Sequence, residues 1–102
     1  MPLEPDRHKG EIDDVLREVL DGPGVTTRSE RTAALDGAGP EAMKAYLTKV
    51  REQSYRVSDE DFGALREAGV SEDAIFELTV AAATGVASRR LEAARRAMRR
   101  TL

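Results

Sequence analysis

Cysteine does not occur anywhere in this chain, and its absence removes more chemistry than any other feature. Without it there is no disulfide, no thiolate nucleophile and no zinc–thiolate site. Histidine occurs once, at His8, in a segment rich in proline and charge. A metal site needs several converging ligands, so a lone histidine there is not read as one. Aromatic residues number four, two tyrosines and two phenylalanines, and tryptophan is missing. No run approaches the roughly 20 apolar residues of a membrane span, and no apolar signal core opens the chain. A cytoplasmic location is therefore the expectation, with no membrane partner. No stretch alternates with period two for long enough to form a strand.

What is present is helical punctuation. In Val57-Ser58-Asp59-Glu60-Asp61-Phe62, Ser58 is a natural N-cap, and three acids follow at the positive end of the helix dipole. Val57 and Phe62 occupy the two positions of a hydrophobic staple. Thirteen residues on, Val70-Ser71-Glu72-Asp73-Ala74-Ile75 repeats the device. Between them Gly69 suits a left-handed helix end, with Val70 reaching back to Leu65. The pattern predicts a short helix over 59–68, a turn at Gly69 and a long helix from Glu72.

That long helix carries two adjacent apolar rows. One is Ile75, Leu78, Ala82 and Val86; the other is Phe76, Val80, Ala83, Ala87, Leu91, Ala94 and Met98. The segment from Ala81 to Gly85 has almost no side-chain bulk, and a mid-helix glycine costs about 1 kcal/mol relative to alanine. Close approach of another helix at Gly85 is one reading, and a tolerated glycine without a role is the other.

Upstream, residues 1–9 read as a loose arm and 10–102 as one helical domain. Ile12, Val15, Leu16, Val19 and Leu20 form the stripe of an amphipathic helix over 11–21, stopped by Gly22-Pro23-Gly24. Thr27 and Glu30 match a capping box for a short helix through Leu35, ended by Gly37. Pro40 suits the first turn of a third helix, with Met43, Tyr46, Leu47 and Val50 on its buried face and fraying near Gln53. The expectation is an all-α bundle of about five helices.

Charge is uneven. Arginine and lysine number 16 against 19 acids, a net of −3. From Arg89 onward six arginines face Glu92 alone, a local +5, so the rest of the chain carries −8. A nucleic-acid interface would use such a patch. The arginine pairs spread around the helix, however, aromatic platforms are scarce, and arginines at a helix C-terminus complement its dipole. The acidic pairs lie in first helical turns, where the dipole favours them. Serines and threonines fall mainly at caps, with no histidine in the folded part to activate them, and no glycine-rich phosphate loop is present.

Four features resemble one family: the phrase 55–61 (Tyr55-Arg56-Val57-Ser58-Asp59-Glu60-Asp61), the run from Leu65 to Gly69, the phrase 71–77, and the alanine-rich helix ending in Arg89 or Arg90. Over about residues 45–94 the chain resembles the C-terminal half of alkylhydroperoxidase-like (carboxymuconolactone decarboxylase-like) proteins. The resemblance implies an all-α fold and intertwined homo-oligomers. Peroxidase members carry a Cys-x-x-Cys and a histidine upstream, which this chain lacks, and decarboxylase members rely on a histidine and a glutamate. The expectation is thus a catalytically degenerate relative, an oligomeric scaffold or a binder of a partner or ligand, with no cofactor. A redox-competent relative is one candidate partner. Tyr55 and Arg89 are the candidate ligand-binding residues, and Ala81, Ala82, Gly85 and Val86 the candidate oligomer interface. A lyase or isomerase built on carboxylates, Arg89 and Tyr55 is the rival reading. A nucleic-acid-binding module using the arginine-rich end is the third.

Overall fold

The computed structural model describes residues 5–101, with side chains considered at 10, 11 and 13–101. The described residues form five α-helices: α1 (Pro5–Asp21), α2 (Arg28–Leu35), α3 (Lys44–Gln53), α4 (Asp59–Glu67) and α5 (Glu72–Thr101). Single 3₁₀ turns at Glu41–Met43 and Ser54–Arg56 flank α3. Among the described residues there is no strand, as the missing period-two pattern predicts.

Each boundary has a local cause. Thr27 caps α2: its hydroxyl accepts from the Glu30 N–H at 3.0 Å, and Glu30 accepts from the Thr27 N–H at 2.9 Å. The Ser58 N–H donates to the Asp61 carboxylate at 2.9 Å, closing the start of α4. Helix α4 ends in a Schellman motif, with Val70 N–H on the Leu65 carbonyl and Gly69 N–H on that of Arg66, both at 3.0 Å. Gly69 has φ +90°, and Gly37 after α2 has φ +94°, a region L side chains rarely adopt. The staple residues Val57, Phe62 and Val70 pack on the core, and Ile75 lies within it.

Two boundaries differ from the sequence reading. Of the expected arm, residues 1–4 lie outside the described residues, and α1 is already helical from Pro5. Proline suits a first helical turn because its missing N–H would be unpaired there anyway. Pro40 precedes a 3₁₀ turn, and α3 proper starts at Lys44.

Helix α5 is the spine. Its inner face carries Ile75, Leu78, Ala81 and Ala82, which meet Ala34, Met43, Tyr46, Leu47 and Leu65 in the core. Met43, Leu47 and Leu78 are the largest fully buried side chains. Helix α1 runs antiparallel to α5. Its C-terminal end delivers Gly24 to Glu77, while Val15 and Leu16 lie beside Ala87 and Leu91. The last turns of α5 extend past this packing, and residues 96–101 are exposed.

At the start of α5, the Ala74 N–H donates to the Ser71 hydroxyl at 3.1 Å. Ser71→Ala is expected to destabilise the fold by about 1 kcal/mol, since one unpaired N–H of the longest helix loses its acceptor. A chemical denaturation midpoint equal to that of the parent protein would contradict this.

Candidate functional site

Sheltered charge gathers at the loop that follows α1. Arg31, 8% exposed, donates to the carbonyls of Val19, Gly22, Thr26 and Thr27. Glu77 faces the same loop from α5. It accepts from Val25 N–H at 2.9 Å, Thr26 N–H at 3.0 Å and the Thr26 hydroxyl at 2.6 Å. The Thr26 hydroxyl is the first cause holding the Glu77 carboxyl below its ordinary value. The two backbone N–H groups and the charge of Arg31 add to it, against partial burial. Gly24 lies so close to this carboxylate that a Cβ would strike it. Glutamate and arginine together fasten the loop 22–27 to the spine. Both are saturated by their own chain, so their chemistry is structural.

A second sheltered pair joins α3 to α4. Lys49 Nζ lies 2.9 and 3.1 Å from the two Asp61 oxygens. Its hydrogen bond is the largest cause of a lowered Asp61 pKa, ahead of the Ser58 N–H. Asp61 already closes the start of α4, so this ion pair too is consumed by structure.

Tyr55 and Arg89 do not form a site. Tyr55 is 80% exposed on the 3₁₀ turn after α3, with the Arg56 guanidinium 5.9 Å from its ring centre. Arg89 Nη1 donates to the Leu35 carbonyl at 2.9 Å, satisfying an orphan acceptor at the end of α2. Its shallow cleft is shared with Leu16, Leu35 and Asp36, and Tyr55 lines no part of it. Tyr55 thus meets its chain neighbour Arg56, while Arg89 binds a carbonyl far away in sequence, which the spacing of a motif could not reveal.

The candidate interface residues lie on or beside the inner face of α5. Ala81 and Ala82 are fully buried and Gly85 is buried, all within the single chain, while Val86 is half-buried. Gly85 does mark a close approach, but the neighbour is the chain's own α2. A Cβ there would lie 3.0 Å from the Leu35 carbonyl carbon, and closer still to its oxygen. The chain's own core covers Ala81, Ala82 and Gly85.

What remains open is the opposite side of α5. At 3.6 residues per turn, Phe76, Val80, Ala83, Ala87, Ala94 and Met98 fall diametrically across from Leu78 and Gly85. Phe76 is 69% exposed, Leu91 41% and Met98 43%, the three outer alanines are exposed, and Val80 is half-buried. Val15 of α1, 54% exposed, adjoins this row through the cleft it shares with Ala87 and Leu91.

The row starts at a cleft of about 350 Å³ between α3, α4 and α5. Phe62, Ile75 and Phe76 give it an apolar lining, and Asp59, Arg66 and Glu72 stand at its polar edge. Tyr46 and Phe62 meet in a tilted contact, with centroids 5.8 Å apart at 56°. The Tyr46 hydroxyl is 2.8 Å from that of Thr79, which itself donates to the Ile75 carbonyl. Arg66 pairs with Glu72 at 2.9 Å. The cleft holds no nucleophile–base pair, and its hydroxyls are engaged with each other. What it offers is a contact surface, apolar with a charged edge.

Among the described residues no group of three or more potential ligands could hold a metal, and no helix is long and apolar enough to cross a membrane. No protein-family model matches the chain, and neither does any curated protein or solved structure.

Proposed function

We propose that the chain is a helical scaffold or interaction protein that self-associates through the outer row of α5. The carrying observation is that row itself: an apolar strip from Phe76 to Met98 that is largely exposed among the described residues. A helix with an apolar face on each side asks for a neighbour on each side. The core supplies one, and a two-fold copy is the commonest way to supply the other. The core is also thin: fifteen of the apolar residues are alanines, so association would add burial that a small chain otherwise lacks. We place the chain, on the residues 45–94 quoted above, as a cysteine-free and catalytically degenerate relative of the alkylhydroperoxidase-like proteins, acting in the cytoplasm. The cleft beside Phe76 serves this reading as part of the contact surface and needs no reaction of its own.

Light scattering tests it. At micromolar concentration the mass is expected to be at least twice the 11.1 kDa of one chain. Ala83→Glu, an exposed position on the row, should return the mass to one chain without loss of helical circular dichroism. A wild-type protein that scatters as a monomer overturns the reading.

A further inference from the structure

The inner row of α5 changes character where the body of the chain ends. Arg96, Arg99 and Arg100 lie about five turns beyond Leu78, Ala81 and Ala82, so they continue the line of the core-facing side. Gly85 on that line is covered by α2, and Arg89 closes the end of α2 on the Leu35 carbonyl. Residues 96–101 are exposed. Apolar side chains thus give way to arginine at the place where burial stops. Arg90 and Arg100 have no hydrogen-bond or ion-pair partner among the described residues. Arg96 and Arg99 share Glu92, at 3.6 and 3.3 Å. Exposed pairs of this kind contribute at most about 1 kcal/mol, so they yield readily to a stronger anion. Arg95, which also reaches Glu92, is sheltered and stands apart from this set.

We propose that the projecting end of α5 binds the phosphate backbone of duplex DNA through Arg90, Arg96, Arg99 and Arg100. Every cation from residue 89 onward is arginine, whose planar fork can hold a phosphate with two hydrogen bonds. At 3.6 residues per turn the four spread over about half of the helix circumference, so a helix lying in a groove reaches the phosphates on both walls. Residues 92–101 span about 15 Å, and a helix of about 10–12 Å diameter fits the roughly 12 Å major groove of B-form DNA. The deep, narrow major groove of an RNA duplex does not admit it. Single strands are held by stacking on aromatic side chains, and the last aromatic residue of the chain is Phe76. A membrane surface would need a broad apolar side to insert, and from residue 89 to 101 only Leu91 and Met98 are large and apolar. The acids of the chain do not cancel this charge. Glu72 and Asp73 stand about 40 Å along the helix from Arg99, about four Debye lengths at 0.1 M salt. Asp36 and Glu11 are nearer, in the clefts of Arg89 and Leu91, and with Glu92 they are three acids against six arginines. This surface is independent of the self-associating one, because Arg96, Arg99 and Arg100 lie across the helix from the outer row.

Fluorescence anisotropy of a short labelled DNA duplex of arbitrary sequence, titrated with the full chain, tests the assignment. Binding is expected with a dissociation constant of about 10 μM at low salt, and four phosphate contacts give log affinity against log salt a slope of about −3.6. Arg96→Gln combined with Arg100→Gln removes two contacts at exposed positions, so helical circular dichroism should be unchanged. The slope should halve, and affinity should fall at least about tenfold. Arg56→Gln, which removes a positive charge from the exposed turn before α4, should leave affinity as it was. Absence of binding at low salt, or a double variant that binds like the parent, overturns the proposal. So does tighter binding to a single strand of the same length, or binding to phosphatidylglycerol vesicles without binding to the duplex.

Discussion

Gly85→Leu is expected to be among the most damaging single substitutions in the described chain. Leucine would extend the Cβ that already collides with the Leu35 carbonyl group, and that neighbour is backbone, which cannot swing away. The same carbonyl accepts from Arg89 at 2.9 Å, so pushing α2 off α5 also breaks its C-terminal cap. Overpacking a tight contact costs about 1–3 kcal/mol and at times more. Relief of the glycine's poor helix propensity returns about 1 kcal/mol. We expect a net loss of about 2 kcal/mol for leucine, and on the order of 10 °C in melting temperature for a domain of this size. Gly85→Ala should fall between the two. A leucine variant that melts with the parent would mean that α2 does not cross α5 at Leu35.

Glu77→Ala is the second large effect. It strips an acceptor from Val25 N–H, Thr26 N–H and the Thr26 hydroxyl, and leaves the buried Arg31 without its nearby negative charge. A buried polar group left unpaired costs about 1–3 kcal/mol. Water can reach part of this loop, since Val25 is exposed, so a total near 3 kcal/mol is expected rather than the full sum. The titration gives an independent sign. Glu77 and Asp61 are both held below their ordinary values of 4.5 and 3.8. A carboxyl with a lowered folded pKa stabilises the fold fully above its unfolded value, and that contribution disappears as pH falls through the folded value. The urea midpoint should therefore be level from pH 8 to about pH 5.5 and fall below pH 4.5. Glu77→Gln should be less stable at neutral pH and show a shallower acid limb. An acid limb as steep as the parent's would deny Glu77 this role.

These two sites show what the chain's local pattern reveals and what it withholds. Ser71, Thr27 with Glu30, and Gly69 act within a few residues of themselves, so their roles are legible in order along the chain. The same holds for the two apolar rows of α5, which follow from periodicity alone. Which row would face the core was not legible. The smooth segment from Ala81 to Gly85 pointed to a close helix contact, but sequence spacing cannot say whether the neighbour is α2 of the same chain or a second copy. The bond from Glu77 to Thr26 joins residues far apart in sequence and leaves no periodic trace. Nothing in the local pattern of α2 marks Arg31 for burial. Its burial depends on how α1 and the loop 22–27 fold back over it. Tyr55 and Arg89 belong to the segments that carry the resemblance; Tyr55 meets its neighbour Arg56, and Arg89 is bound to the Leu35 carbonyl of α2, a long-range contact that no local pattern shows.

On the proposed reading, two faces of α5 carry two separable duties: the inner face with Gly85 holds the chain's own fold, and the outer face with Ala83 would meet a second copy. The most direct measurement is the melting temperature as a function of protein concentration, for the parent and for Ala83→Glu. Association that is lost on unfolding makes the midpoint depend on concentration by mass action. For a pair of chains this size, unfolding entropy of about 2.1 cal/mol/K per residue gives a rise of roughly 3 °C for each tenfold increase. The account predicts that slope for the parent and a flat line for Ala83→Glu. A parent midpoint that does not move over two decades of concentration would contradict it.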